Sequence, residues 1–527
     1  MALTLPDGIE MLPITSWENA HQNFTHAFKP NASFKLRIPN SQQPYQDTTK
    51  NFQWLIQYAL DNNIQLRALG NGWSFSQVAV CNGGAIDTKA LRLTYNLNNS
   101  FVASEYLQNG KASDLFFTQC GISIFDLDNK LEQDSNPKRS LKASGASNGQ
   151  SIAGATSTGT HGAAYNVGAV HDSIVGLHIV VSPTRHVWIE KKSKPVASDE
   201  FINWLGAEPI KDDDMFNAAV VSFGSFGFIH GILIETEPVF LLEEHRVGNI
   251  AYSNEIKHAM NTLDFTAIEN VLPSPASAPG KELYHFEIII NPQQFEDDNP
   301  DKGVYFKVMY KVPYQVNYPK KDTTTDQFTY GDDTLGVIQT IIDSLGTNLS
   351  DALIPPLVNK MFPLAFKAIG TTYGTIGETF AYTKFKGKAA SAAIGIPISY
   401  ATQLLEEFVS LNKQHPFPGG VALRYVKGTS ALLGFTHFEK TCVLELDGVD
   451  SELSRNFIEG VWARLEALSI PYTLHWGKFN FNLNIQRLRA MYGSDTVDAW
   501  LNCRNNLLNA DCRKVFTNDF MIQCGLG

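Results

Sequence analysis

Ser151-Ile-Ala-Gly-Ala-Thr-Ser-Thr-Gly-Thr-His-Gly162, led in by Ala143-Ser-Gly-Ala-Ser-Asn-Gly-Gln150, is a long run almost without large side chains. Gly, Ala, Ser and Thr leave the backbone N–H groups unshielded and let a ligand approach the main chain closely, which suits phosphate. A flexible linker has a similar composition. Here, however, Ile152, Thr156, Thr158, Thr160 and His161 follow in tight order and strand-like sequence resumes beyond them. The run therefore reads as a cofactor loop inside a β/α region, and the chain is read outward from it.

Upstream, Phe52, Leu55, Ile56 and Ala59 recur at helical spacing behind Asp47-Thr-Thr-Lys, which predicts an amphipathic helix. A short strand, Ile64–Leu69, then runs into a second Gly/Ser loop, Gly70-Asn-Gly-Trp-Ser-Phe-Ser76. Leu115–Gln119 reads as a strand, and Ser123 with Asp126 carries the capping signal of a helix running to Leu131. Downstream, Ile174–Val181 and His186–Ile189 predict a hairpin, Asp213–Val221 a helix and Ile232–Glu237 a strand. Gly224 and Gly227 precede that last strand, either to bend it or to bring backbone close to a cofactor.

From about Leu241 the texture changes. Tyr284–Ile290 and Val304–Val312 alternate as half-exposed strands, and Thr334–Leu345 and Leu353–Ile369 are apolar helical stretches. Ala422–Val426 and Thr441–Leu446 return to strand, and Leu453–Leu468 is helical. An antiparallel sheet with helices accounts for this half, so the fold class is α+β with at least two domains.

Composition narrows the function. The chain of 527 residues has a net charge of −11, which speaks against a nucleic-acid surface or an anionic membrane. No apolar run reaches the ~20 residues of a membrane span. The beginning of the sequence lacks a basic segment followed by an apolar one. The six cysteines are scattered without metal-ligand spacing, so no metal is expected. A soluble cytoplasmic protein is the expectation.

Among motifs of known chemistry, no G-x-G-x-x-G stands between a strand and a helix. Gly145-Ala-Ser-Asn-Gly149 spells the nucleophile elbow of serine hydrolases, but Lys138–Lys142 is a poor strand and no helix pattern follows directly. His161 reads as a metal ligand, a base or a loop-shaping residue, and without a partner at ligand spacing the last is preferred. Lys478, in His475-Trp-Gly-Lys478, is either a surface lysine or a fixed positive charge for a developing anion.

Taken together, Arg67–Ser76, Thr158-Gly-Thr-His-Gly162, Ser222–Ile232 and His475–Lys478 resemble the flavoprotein oxidoreductases of the vanillyl-alcohol-oxidase type, with a PCMH-type FAD-binding domain. Within that superfamily they look most like sugar-lactone and alditol oxidases. Asn518, in Val515-Phe-Thr-Asn-Asp-Phe520, resembles a segment of the cholesterol oxidases that bind FAD covalently.

The resemblance implies a FAD-binding domain over residues 1–240, a substrate cap over 241–474, and a segment 475–527 that returns to the FAD domain. It implies cofactor contacts at Gly70, Asn71, Gly72, Trp73 and Ser74. Further contacts fall at Ser151, Gly154, Thr158, Gly159, Thr160, His161 and Gly162, and at Gly227, Ile229 and Lys478. It places Arg424, Lys478, Ser151 and Asn518 near the reacting face.

Two departures matter. Trp73 stands where many relatives carry a histidine bonded to the flavin, so dissociable FAD is expected. Ala422 stands where the family's Glu-x-Arg pair has its glutamate. Together with the apolar stretch Ala352–Phe366, this shifts the expected substrate toward a bulkier or less polar alcohol or lactone. The implied reaction is oxidation of a CH–OH group with O2 as acceptor; for the base, a Tyr or His of the cap is a candidate that the sequence does not single out. The alternative is a flavin-binding protein without oxidase turnover.

Overall fold

The computed structural model describes residues 4–320, 344, 350–365, 370–383 and 388–527. Three main sheets organise the chain. The first has four strands in the spatial order Ile9–Met11, Phe34–Leu36, Gly84–Asp87, Leu66–Leu69, with Gly84–Asp87 parallel to both of its neighbours. Parallel pairing needs a crossover, and the helix Pro44–Asp61 supplies it, burying Phe52, Leu55, Ile56 and Ala59 as their spacing predicts. The helix starts before Asp47 because Pro44 occupies its first turn, where a missing N–H costs nothing.

The second sheet has six strands, among them the predicted hairpin Ile174–Val180 with His186–Glu190, paired antiparallel from Leu177–Ile189 to Val180–His186. The strand Phe228–Glu235 begins four residues earlier than its sequence pattern indicates. Gly227, at φ +126°, makes the bend just before it.

The third sheet is antiparallel with nine strands, and its centre runs Val304–Pro313, Lys281–Ile290, Gly419–Lys427, Lys440–Val449, Ala389–Pro397. Alternation along each strand sorts its residues onto two faces. Phe286, Ile288, Leu423, Leu444 and Leu446 share a hydrophobic cluster with Leu404, Leu405 and Phe408 of the helix Ala401–Gln414, and with Phe457 and Val461 of Glu452–Ala467. The opposite face carries Glu287, Arg424, Glu445, Asp447 and Ser391, brought side by side by the pairs Glu287–Arg424 and Ser391–Asp447.

Two expectations are corrected here. The strands of this sheet are buried on both faces, not half exposed: Leu283 through Ile290 are all inaccessible. The face expected to meet water rests instead on residues 142–164, through Phe286 N–H to Ala163 O at 3.3 Å and Tyr284 Oη to Lys142 O at 2.8 Å.

Second, the central run is not a loop throughout. Ile152–Thr158 forms a short helix with Ser151 at its N-cap, since Ile152 and Ala155 pack inward. Gly159 ends it in the left-handed conformation at φ +76°.

The apolar stretch around Pro355 is the helix Ile354–Ala365. Its Ile354, Val358, Met361 and Phe362 cluster with Ile289, Ala422 and Val449. The predicted helix Thr334–Leu345 lies outside the described residues except for position 344, as do residues 366–369. No described helix is long and apolar enough to cross a membrane.

Candidate active site

A cleft with about 1590 Å³ of empty space, part of it open to solvent, separates the small-residue loops from the charged face of the nine-stranded sheet. The two loops meet in its floor. Asn71 donates through Nδ2 to Gly149 O at 2.5 Å. A side chain on Gly70 would lie 2.1 Å from Ser151 Oγ, so only glycine lets the loops close.

The first loop is also tied to the C-terminal segment, by Phe75 N–H to Gly477 O at 2.7 Å and Ser76 Oγ to Trp476 O at 2.5 Å. The second loop is held from below. Asn148 donates to the buried Asp128 at 2.6 Å, and Glu132, one turn on, accepts from Thr375 Oγ1 and Gly377 N–H. Burial pushes both carboxyls up, and for Asp128 the adjacent Glu132 adds to the effect.

Along the floor, the N–H groups of Asn71, Gly72, Trp73 and Ser74 donate no hydrogen bond to another described residue. Neither do those of Ala153 and Gly154 in the first turn of the short helix. Backbone donors left open along a glycine-bearing cleft fit a diphosphate without any added cation.

Most residues singled out in the sequence converge here. Gly70, Asn71, Gly72, Trp73 and Ser74 line one side; Ser151, Gly154, Thr158, Thr160 and His161 another; Gly227 and Ile229 a third; and Arg424 and Lys478 face them.

Three residues do not line it. Gly159 and Gly162 shape the turn behind it, Gly162 because a side chain there would meet Ser144 O at 2.2 Å. Asn518 is buried elsewhere: its amide donates to Val78 O and Val80 O at 3.1 and 2.7 Å, and its Oδ1 caps the last helix at Met521 N–H. It props the first loop from behind.

The electrostatics centre on Glu445, whose side chain is 1% exposed. One oxygen lies 3.3 Å from Arg424 Nη1 and 3.4 Å from His161 Nε2, and the other contacts Lys478 Nζ. On the far side of Arg424, Glu287 accepts from Nε at 2.8 Å and from His285 Nε2 at 3.1 Å. Burial raises the Glu287 carboxyl, but the Arg424 charge and the His285 hydrogen bond outweigh it and hold the group well below the usual range. Burial, reinforced by Lys478, pushes His161 well below its ordinary value, and His475 likewise, with His161 adding to the effect there. His21, stacked on Phe75 at 3.9 Å, is lowered by burial to about 3.

Glu287, Glu445, Asp447, Ser391, His475 and His21 went unread in the sequence. The signal was there for three of them: Glu287, two residues from His285, and Glu445 with Asp447 are ionisable residues at a period of two inside otherwise apolar strands. In a sheet buried on both faces that period puts charge into the interior. Among the described residues of the cap, Ser391, Arg424, Glu445 and Asp447 line the cleft, and neither a Tyr nor a His is among them.

The letters of a hydrolase elbow at Gly145–Gly149 lack their context. The preceding strand is only Arg139–Ser140, and no helix starts at Ser147.

The fold is that of cholesterol oxidase. The enzyme from Brevibacterium sterolicum superposes with a TM-score of 0.69 over 99% of this chain and 100% of that one, at 14% identity. A solvent-stable cholesterol oxidase gives 0.68 over 98% of both chains, also at 14% identity.

In sequence, the chain is 32% identical to a putative D-arabinono-1,4-lactone oxidase of Neurospora crassa over 128 residues, 24% of this chain and 19% of that protein. It is 26% identical to L-gulono-1,4-lactone dehydrogenase of Mycobacterium tuberculosis over 191 residues, 36% of each. With L-gulonolactone oxidase 3 of Arabidopsis thaliana it shares 26% over 198 residues, 37% of this chain and 30% of that one. The matched segments thus span about a third or less of these relatives. No family model matches the chain. The resemblance read from the sequence is borne out on both its sides, sugar-lactone oxidoreductases by sequence and cholesterol oxidase by fold.

Proposed function

We propose that this protein is a FAD-dependent oxidoreductase that oxidises a CH–OH group of a small, polar, polyhydroxylated alcohol or lactone, with O2 as the electron acceptor. In this reading residues 1–240 with 475–527 hold the cofactor and 241–474 form the cap. When bound, FAD supplies the hydride acceptor, flavin N5, and the protein supplies position and charge.

The open N–H groups of Asn71–Ser74 and of Ala153 and Gly154 would bind the diphosphate, with Ser151 toward the ring system. Arg424 and Lys478 would stabilise the negative charge that develops as substrate is oxidised. Trp73 packs against Gly149, whose missing side chain leaves room for the indole. Indole has no nitrogen suited to flavin attachment, so FAD is dissociable. Six free cysteines support a reducing, cytoplasmic location.

The observation that carries the substrate class is the cap wall. Its described lining residues, Ser391, Arg424, Glu445 and Asp447, all carry hydrogen-bonding or charged groups. A sterol ring would bring no hydrogen-bonding group to this wall of paired ions, whereas several hydroxyls would add to its network. The apolar helix Ile354–Ala365, which pointed toward a bulky substrate in the sequence, spends its side chains packing on Ile289 and Ala422.

The test is anaerobic titration of the purified yellow protein. Polyols and sugar lactones bleach the flavin, air restores it, and sterols do not. A flavin reduced by sterols alone, or by none of these, rejects the proposal. Acid precipitation leaves the flavin in the supernatant, and colour in the pellet would contradict the reading of Trp73.

A further inference from the structure

His161 lies between two acceptors. Its Nδ1 is 3.1 Å from Gly162 O and its Nε2 is 3.4 Å from Glu445 Oε1, with the side chain 2% exposed. A neutral imidazole carries one N–H and satisfies only one of these oxygens; the imidazolium satisfies both.

The carbonyl contact is the closer and assigns the resting proton to Nδ1, which leaves Nε2 bare against the carboxylate. A separation of 3.4 Å is too long for a strong charge-assisted hydrogen bond and matches a position from which the proton is missing. The surroundings disfavour a charge on the resting ring: burial, Lys478, Arg424 and His171 all do so, against the opposing hydrogen bond to Gly162.

His475 is differently placed. Its Nδ1 already accepts the Gly477 N–H at 3.0 Å, so that nitrogen is unavailable.

We propose that Nε2 of His161, a residue that lines the cleft, is the base that receives the substrate's hydroxyl proton, and that Glu445 positions it by holding the resulting imidazolium. This rests on the oxidoreductase reading above. The C–H bonding pair leaves as hydride to flavin N5, the O–H pair becomes the second bond of the product carbonyl, and the proton passes to Nε2.

Two measurements decide it. Anaerobic stopped-flow reduction of the FAD-loaded protein uses whichever of L-gulono-1,4-lactone and sorbitol reduces the wild type. His161→Gln is expected to reduce about 10²–10⁴-fold more slowly with FAD affinity retained, and added imidazole to speed up His161→Gly. Reduction within about threefold of wild type overturns the proposal, as does a slow variant that has also lost FAD and is not rescued by imidazole.

Nitrogen NMR of the labelled imidazole in the resting protein is independent of turnover. The expected state is Nδ1–H with bare Nε2, and an Nε2–H tautomer overturns the assignment. A wild-type flavin that no alcohol or lactone reduces rejects the function proposed above, while the tautomer still decides the proton seat.

Discussion

The two walls of the cleft are built on opposite plans. The floor, from Gly70–Ser76 and Ser151–His161, presents backbone: glycines, small side chains and N–H groups without partners. The cap wall presents side chains: Arg424, Glu445 and Asp447, set on strands whose register aligns them with Glu287 and Ser391. A backbone wall recognises by shape and fixed dipoles and fails when a side chain is added. A charged wall recognises by paired ions and fails when one member is removed.

The strongest way to break this contrast is Arg424→Ala. It leaves Glu287 and Glu445 buried without their shared cation, and urea unfolding should show a loss of about 3–5 kcal/mol. A loss below ~1 kcal/mol would mean that the cap wall does not depend on this pairing.

Next, Lys478→Met removes the lysine cation in contact with Glu445, and flavin reduction should slow by about 10²–10³-fold. An unchanged rate would remove Lys478 from the reaction.

On the floor, Gly70→Ala drives a methyl into Ser151. FAD affinity, followed by flavin fluorescence, should weaken about 10–100-fold, as overpacking of ~1–3 kcal/mol implies. Undiminished affinity would show that the two loops need not touch.

The smallest effect tests the support under the floor. Because the Glu132 carboxyl is raised in the folded protein, the fold retains its proton where the unfolded chain has lost it. Stability therefore falls as pH rises from the unfolded value, ~4.3, toward the raised one. Glu132→Gln escapes that loss, so melting temperatures should show the variant gaining ~1–2 kcal/mol on wild type between pH 4 and pH 8. An advantage that is flat with pH would place the shift elsewhere.

The backbone wall was the more legible of the two. Small-residue runs such as Gly70–Ser76 and Ser151–Gly162 are contiguous, so their composition declares an open main chain, even though Ile152–Thr158 proved helical. The charged wall was harder to read because its members, at 287, 391, 424, 445 and 447, are spread over four strands. Ala422 illustrates this. Its lack of a carboxylate looked like a lost acid, yet Ala422 pairs across the sheet with Glu445, which places a carboxylate beside Arg424 from the neighbouring strand.

The sequence by itself determined the α+β class, the resemblance to lactone oxidoreductases and the two small-residue runs. These follow from local order: hydrophobic period, glycine spacing and short motifs act over a few residues. Only the tertiary structure decided that Asn518 props a loop instead of lining the cleft, that the apolar helix Ile354–Ala365 packs on Ile289 and Ala422, and that His161 faces Glu445. Strand register and the burial of both sheet faces settle those points, and both depend on contacts between residues hundreds of positions apart.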